Sequence, residues 1–204
     1  MGNGSRRLVL GSTSHYRRAL LERLGIPFDV AAPDVDESPL EGERPAQTAL
    51  RLSEAKARAV AARFPDALVI GSDQVADCDG TPVGKSGDRE RAFAQLRALS
   101  GRTVVFHTGV ALVDAPSGRC RSELVDIAST FRTLSDDEIL AYLDREQPWD
   151  CAGSVKSEGL GIALFERIAS DDPTALVGLP LIAVARLLRA EGVDVLRDAA
   201  TCVR

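Results

Sequence analysis

Residues 8–24, LVLGSTSHYRRALLERL, constrain the fold more than any other stretch of this chain. Leu8, Val9 and Leu10 predict a short strand covered on both faces, because an unbroken apolar run leaves no side for water. Gly11, Ser12, Thr13 and Ser14 then carry small hydroxyl residues to the start of a helix, whose Leu20, Leu21 and Leu24 form a face that packs on a sheet. A strand, a tight turn and a helix N-terminus leave backbone N–H groups free at the positive end of a helix dipole. Such a turn can hold an anion, and Arg17 and Arg18 follow one turn later. The same features also describe an ordinary capped amphipathic helix. The stretch therefore points to α/β architecture before it says anything of chemistry.

The rest of the chain continues the alternation. Residues 28–32 read as a strand before Pro33, and Asp34, Val35, Asp36 and Glu37 follow as a carboxylate-rich loop that suits either solvated turn chemistry or a hard divalent cation. Pro45 opens a helix over residues 45–64, with Lys56 inside its apolar stripe, either snorkelling to solvent or pointing into a cleft. Residues 67–71 are an apolar strand, and Asp73 follows where α/β folds gather ligands, at a strand's carboxyl end. Gly84-Lys85-Ser86 resembles the end of a phosphate-binding loop, but Asp79 stands where the upstream glycine is needed, so that motif fails. Residues 88–99 form a helix with Phe93 and Leu96 inward and Gly101 as its stop. Two β-rich runs, 103–113 and 121–132, flank a hairpin turn at residues 115–118. Ser135 to Glu138 is a capping box before a helix to about Glu146. A Gly- and Ser-rich segment from Cys151 leads to a strand over 162–168, and Val177-Gly178-Leu179-Pro180 starts a last helix that runs through Glu191. Residues 192–204 are expected to be a partly disordered tail.

A hairpin inside an alternating pattern predicts a mixed β-sheet flanked by helices, with two lobes and a central cleft in one domain spanning 1–204. The net charge of −5 argues against a surface that coats nucleic acid, while leaving room for a local basic pocket. Four scattered cysteines and two histidines offer little for a structural zinc site or a Cys-His nucleophile. No apolar leader or membrane span is apparent, so a cytoplasmic location is expected.

These pieces form one inventory. Guanidinium and ammonium groups at Arg17, Lys56 and Lys85 neutralise phosphate oxygens, while carboxylates at Glu37 and Asp73 hold a cation or orient a water. No Ser-His-Asp set competes with phosphoryl chemistry.

Six segments in order, GSTSHYRRALLERLGIPFDVAAPDVDE, LRLSEAKA, IGSDQV, GK, AGSVKSEGLG and DPTALVGLP, closely resemble the Maf family of nucleotide pyrophosphatases over about residues 8–191. The resemblance implies a fold like that of the inosine-triphosphate pyrophosphatases. It also implies hydrolysis of a nucleoside triphosphate to monophosphate and pyrophosphate, a divalent cation (Mg or Mn), cytoplasmic location and a homodimer. On that basis Asp73 is the proton acceptor and shares metal binding with Glu37, Lys56 and Lys85 are catalytic, and Ser12 and Arg17 bind phosphate. Tyr16, Gln74 and Glu158 match the specificity positions of the branch acting on 7-methyl-GTP. A carboxylate at Glu158 suits the paired N–H donors of guanine, and a cationic methylated base favours both that charge and an aromatic face such as Tyr16. His15 and Ser86 depart from prolines usual in the family. A pyrophosphatase for dTTP, UTP or other altered nucleotides, and a nucleotide-binding regulator of septum formation, stay open as alternatives. The implied partner is a small nucleotide, with neither a nucleic-acid polymer nor a membrane.

Overall fold

The computed structural model describes residues 6–198. In chain order the elements are β1 (Leu8–Gly11), α1 (His15–Glu22), β2 (Asp29–Val30), α2 (Pro45–Ala61), β3 (Leu68–Cys78), β4 (Thr81–Val83), α3 (Arg89–Leu99), β5 (Thr103–Asp114), β6 (Arg119–Phe131), α4 (Asp136–Glu146), β7 (Phe165–Ala169), α5 (Leu181–Ala190) and α6 (Val195–Asp198). The strands form one seven-stranded mixed sheet in the order β2-β1-β3-β5-β6-β7, with β4 added to β3. β1 runs parallel to β2 and β3, and the remaining pairs are antiparallel.

Local chemistry accounts for the element ends. Ser14 caps α1, Asp88 caps α3, and Ser135 with Glu138 forms the capping box of α4. Pro45 occupies the first turn of α2, where a missing N–H costs nothing.

Two lobes share the long strands β3, β5 and β6. In one lobe, α1 and α5 bury Leu20, Leu21, Leu187 and Leu188 against Leu8, Leu10, Ile70 and Leu112. Helix α2 covers the opposite face, with Ala57 and Val60 on Val9, Val69 and Ala111. In the other lobe, α3 and α4 pack Leu96, Ile139 and Leu143 on Phe106, Ile127 and Phe131.

Helix α2 lies unusually close to the sheet because two strand positions lack side chains. A Cβ at Gly71 would sit 2.2 Å from the Ser53 carbonyl oxygen, and one at Gly109 would sit 2.5 Å from that of Ala49. Only glycine allows that approach.

Several expectations need correcting. The strand expected over residues 67–71 runs on to Cys78, because β5 continues to pair with it through Asp77. Asp73 is therefore inside a strand rather than after one. On the other edge of β3, however, β1 pairs only as far as Gly71 and β4 begins only at Ala76. Residues 72–75 face a gap between two strands, and the sheet opens there. The strand expected over 28–32 shrinks to Asp29–Val30, an exposed pair at the sheet edge between Pro27 and Pro33. The first part of the strand expected over 162–168 is a 3-10 turn, Leu160–Leu164. Glu146 holds its first amide at 2.6 Å, and Gly161 lies too close to the Lys156 backbone for an extended chain with a side chain. Phe93 is only half-buried, whereas Leu96 is fully inside. At the start of the expected tail, Val193 and Val195 pack against the α1–α5 cluster. The remainder of that tail, 199–204, lies outside the described residues.

Candidate active site

The gap beside residues 72–75 opens into a cleft of about 520 Å³. The turn after β1 forms one rim and residues 82–85 form the other, so the two lobes meet across it. Because strand side chains alternate in direction, Asp73 points toward α2 while Gln74 points to the opposite face. Both reach the cleft only because no strand fills the gap between them.

Lys56 and Asp73 are the centre of the cleft. Both are buried, at 4% and 7% exposure, and Lys56 Nζ lies 2.6 Å from Asp73 Oδ1 and 2.9 Å from Glu37 Oε1. Of the two readings of Lys56, the structure selects the cleft. The closeness of α2 at Gly71 is what brings the ammonium to Asp73, since Lys56 immediately precedes Ala57 at the contact. Burial pushes the Asp73 carboxyl above its ordinary value, and the opposing pull of Lys56 and then Arg17 limits the rise. Glu37 is exposed on its loop. That loop is pinned by Glu43, which bonds Arg51 at 2.6 Å while Arg51 donates to the Ser38 carbonyl at 3.1 Å.

The turn after β1 supplies donors. Ser12 is buried, and its Oγ accepts from the Ser14 amide at 3.1 Å and, more loosely, from Arg17 at 3.5 Å. With its lone pairs so engaged, its hydrogen is left for the cleft. The amides of His15 and Tyr16 occupy the first turn of α1, where no intrahelical acceptor exists. Arg17 Nε donates to the Gly178 carbonyl at 2.8 Å, which fixes its guanidinium beside Ser12. Burial lowers its proton affinity while Asp73 and Glu37 raise it; a guanidinium stays cationic regardless. Arg18 does not join the site and pairs with Glu22 on the surface. Lys85 is exposed on the opposite rim and has no ion pair among the described residues.

A smaller pocket of about 130 Å³ adjoins the cleft and shares Tyr16, Arg17, Gln74 and Lys85 with it. Phe106, Val155, Leu176 and Val177 give this pocket apolar walls, and Glu158 lies in its lining. Burial raises the Tyr16 phenol, with the nearby Cys151, Asp150 and Glu158 adding to the effect, so Tyr16 stays neutral. Its ring lies 3.7 Å, centroid to centroid, from that of His15. His15, itself exposed, also lines the cleft.

All the expected site residues, Ser12, Tyr16, Arg17, Glu37, Lys56, Asp73, Gln74, Lys85 and Glu158, line one or both of these adjoining cavities. Sequence reasoning missed Asp150, which lines both, and Thr108, which holds Gln74 from behind at 2.9 Å. In the sequence Asp150 only follows Pro148 and Trp149 beyond the capping-box helix, with no partner residue in view. Thr108 looked like one more β-former.

Among the described residues no three metal-ligating side chains come together. Glu37 and Asp73 converge on one ammonium and would offer a cation two carboxylates at most. That donor set suits a magnesium-like ion completed by phosphate oxygens and water, and does not suit a resident metal held by protein alone.

A family model described as "Maf-like protein" matches residues 7–191. A "7-methyl-GTP pyrophosphatase" of a Polaromonas species is 62% identical over 194 residues, 95% of this chain and 89% of that protein. One of the same name from Aromatoleum aromaticum is 60% identical over 186 residues, 91% and 96% of the two chains. Among solved structures, the Ham1 protein of Staphylococcus aureus overlaps 62% of this chain and 72% of its own, with a TM-score of 0.45 and 14% identity. An overlap that small carries no argument about the chemistry.

Proposed function

The chain belongs to the Maf family, and from that premise we propose that it hydrolyses 7-methyl-GTP to 7-methyl-GMP and pyrophosphate. The observation that carries the reading is the buried Lys56–Asp73 pair at the floor of a cleft whose rims hold Ser12, Arg17 and Lys85. The relatives that bear this substrate in their names, at about 60% identity over nearly the whole chain, support the choice of nucleotide.

In this mechanism the triphosphate occupies the larger cleft and the base the smaller pocket. Asp73 accepts a proton from the water that attacks the α-phosphorus. A carboxylate raised by burial is a stronger base than an exposed one, and the neighbouring Lys56 favours its ionised form. Ser12, Arg17, Lys85 and the first amides of α1 stabilise the charge that collects on the departing pyrophosphate. A divalent cation, held by Glu37 and Asp73 together with phosphate oxygens, would supply further neutralisation of the triphosphate. Tyr16 gives the base an aromatic surface, and Glu158 offers a carboxylate to guanine N–H groups and to the positive charge of the methylated ring.

A cytoplasmic location and a homodimeric state belong to the same proposal. No helix among the described residues is long and apolar enough to cross a membrane, and light scattering in solution tests the dimer.

Pyrophosphate release from a panel of methylated and unmodified nucleoside triphosphates tests the function. The expected result is a preference for 7-methyl-GTP that Glu158→Gln weakens more than it weakens use of pyrimidine nucleotides. Equal losses on every base would defeat the proposed base contact, and tight binding without pyrophosphate release would favour a regulator.

A further inference from the structure

We infer that Asp150 holds the sugar of the nucleotide, accepting hydrogen bonds from the 2′- and 3′-hydroxyls of its ribose. This rests on the nucleotide reading above and adds a sugar-binding residue to it.

With the triphosphate in the larger cleft and the base in the smaller pocket, the sugar that joins them lies where the two cavities meet. The residues that line both cavities mark that place. Two cations, Arg17 and Lys85, are among them, and Asp150 is the one carboxylate that lines both. Glu37 and Asp73 line the cleft alone, and Glu158 lines the pocket alone. The cations suit the phosphate next to the sugar. A ribose offers two neighbouring hydroxyls, and a carboxylate answers them with two oxygens that only accept. An acidic residue meets ribose in the same way where other α/β folds bind dinucleotides. Ser14, also at the junction, is occupied at the helix end, where its Oγ accepts from the Arg17 amide at 3.4 Å.

The Asp150 carboxylate is available. Its side chain is exposed, and it has no ion pair among the described residues. The Cys151 thiol lies 3.6 Å from its Oδ1 and is a weak donor. Burial pushes that thiol up to about 12, so it keeps its hydrogen and brings no competing negative charge. Burial is also the main reason that the Tyr16 phenol stays neutral, and the charges of Cys151 and Asp150 add to it. Asp150 is thus a neighbour of the aromatic surface assigned to the base.

The backbone under Asp150 is fixed to the rim that carries Lys85. Residues 84–87 and 149–153 run side by side, with the Gly87 amide donating to the Trp149 carbonyl at 3.0 Å and the Gly153 amide to that of Gly84 at 3.3 Å. Between them Lys85 and Ala152 form an antiparallel bridge. Gln95 of α3 clamps both segments, donating to the Gly84 carbonyl at 3.0 Å and accepting from the Ser154 hydroxyl at 2.6 Å. Trp149 packs against the core of the α3–α4 lobe. One rigid rim therefore presents an ammonium for phosphate and, beside it, a carboxylate for sugar.

Two measurements test this. In the first, kcat/KM for 7-methyl-GTP is compared with that for its 2′,3′-dideoxy counterpart, which lacks only the two hydroxyls. The wild type should prefer the ribonucleotide about tenfold or more, the worth of a hydrogen bond to a charged group. Asp150→Ala should remove most of that preference, and Asp150→Asn, which keeps one acceptor oxygen, should remove less. Because the side chain is exposed, neither change leaves a buried partner unsatisfied. A wild-type enzyme indifferent to the hydroxyls, or an Asp150→Ala enzyme that keeps the wild-type ratio, overturns the inference. If Asp150→Ala instead loses discrimination between 7-methyl-GTP and GTP, or needs more cation equally for both sugars, with the ribose preference intact, Asp150 serves the base or the cation and the inference fails. In the second, calorimetric binding of 7-methyl-GMP is compared with that of its dideoxy form in the absence of turnover. The same preference, lost in Asp150→Ala, is expected. Failure of the wild type to release pyrophosphate would overturn the hydrolytic reading, leaving the binding ratio to judge the sugar contact alone.

Discussion

Adding one methyl group at Gly71 tests whether the closeness of α2 to the sheet is what builds the site. In Gly71→Ala the new Cβ would lie 2.2 Å from the Ser53 carbonyl oxygen and 2.5 Å from the Ala57 nitrogen. Both are backbone atoms of a helix, so no side-chain rotation relieves the contact. Ordinary contact begins near 3.4 Å, so the helix must retreat by the difference between 3.4 and 2.2, about 1.2 Å, in a core packed to crystal-like density. The stability cost is placed at about 3 kcal/mol, the upper part of the range for overpacked cores. For a chain of this length that lowers the thermal midpoint by about 6–12 °C. Lys56 moves with the helix, and its 2.6 Å contact to Asp73 is the first to lengthen. Misplacement on that scale costs about 100-fold in turnover. The assay pairs a thermal melt with pyrophosphate-release kinetics at a temperature where the variant is folded. A variant with both the wild-type midpoint and wild-type kcat/KM would refute the argument.

Three further outcomes follow from the charges. Burial raises Asp73 above the ordinary 3.8, and its anion is the proposed base, so kcat/KM should fall as pH drops through a pKa above that value. Lys56→Met removes the largest opposing influence and should move this acid limb upward; an unmoved limb would assign it to another group. Since the folded chain holds the Asp73 proton more tightly than the unfolded chain, this group costs stability as pH rises through the same interval. Glu43 behaves oppositely. Held down to about 2, chiefly by Arg51, it contributes stability that is complete above its ordinary 4.5 and is lost as pH falls toward 2. Glu43→Gln should flatten that part of the acid unfolding profile. A chelator should abolish pyrophosphate release, and added Mg or Mn should restore it, with Glu37→Gln needing more cation for half-maximal rate. Undiminished turnover in the chelator would remove the cation from the mechanism.

Much of this architecture was legible from local chemistry. The hairpin between β5 and β6, the capping box of α4 and the Pro-initiated α2 all announce themselves through residues with narrow backbone or hydrogen-bonding preferences. The strand β3 did not, because Ser72, Asp73 and Gln74 are polar and resemble a strand's end. Their polarity belongs to the site, and their extended conformation is imposed by pairing with β5, which no local window contains. The sheet gap at residues 72–75 was equally hidden, since it depends on where β1 stops and β4 begins along a third strand. Gly71 and Gly109 carried no turn signal, and their meaning appears only with α2 lying across them. Among site residues, Lys56 was visible as a charge in an apolar stripe. Thr108 was not, because its contact with Gln74 depends on the pairing of β3 with β5.

The central claim is that water, deprotonated by Asp73, attacks the α-phosphorus. Hydrolysis of 7-methyl-GTP in ¹⁸O-labelled water, with both products examined by mass spectrometry, tests it most directly. The account predicts label in 7-methyl-GMP, none in pyrophosphate, and loss of turnover by a factor of about 100 or more in Asp73→Asn. Label in pyrophosphate, or an Asp73→Asn enzyme that keeps the wild-type rate, would contradict it.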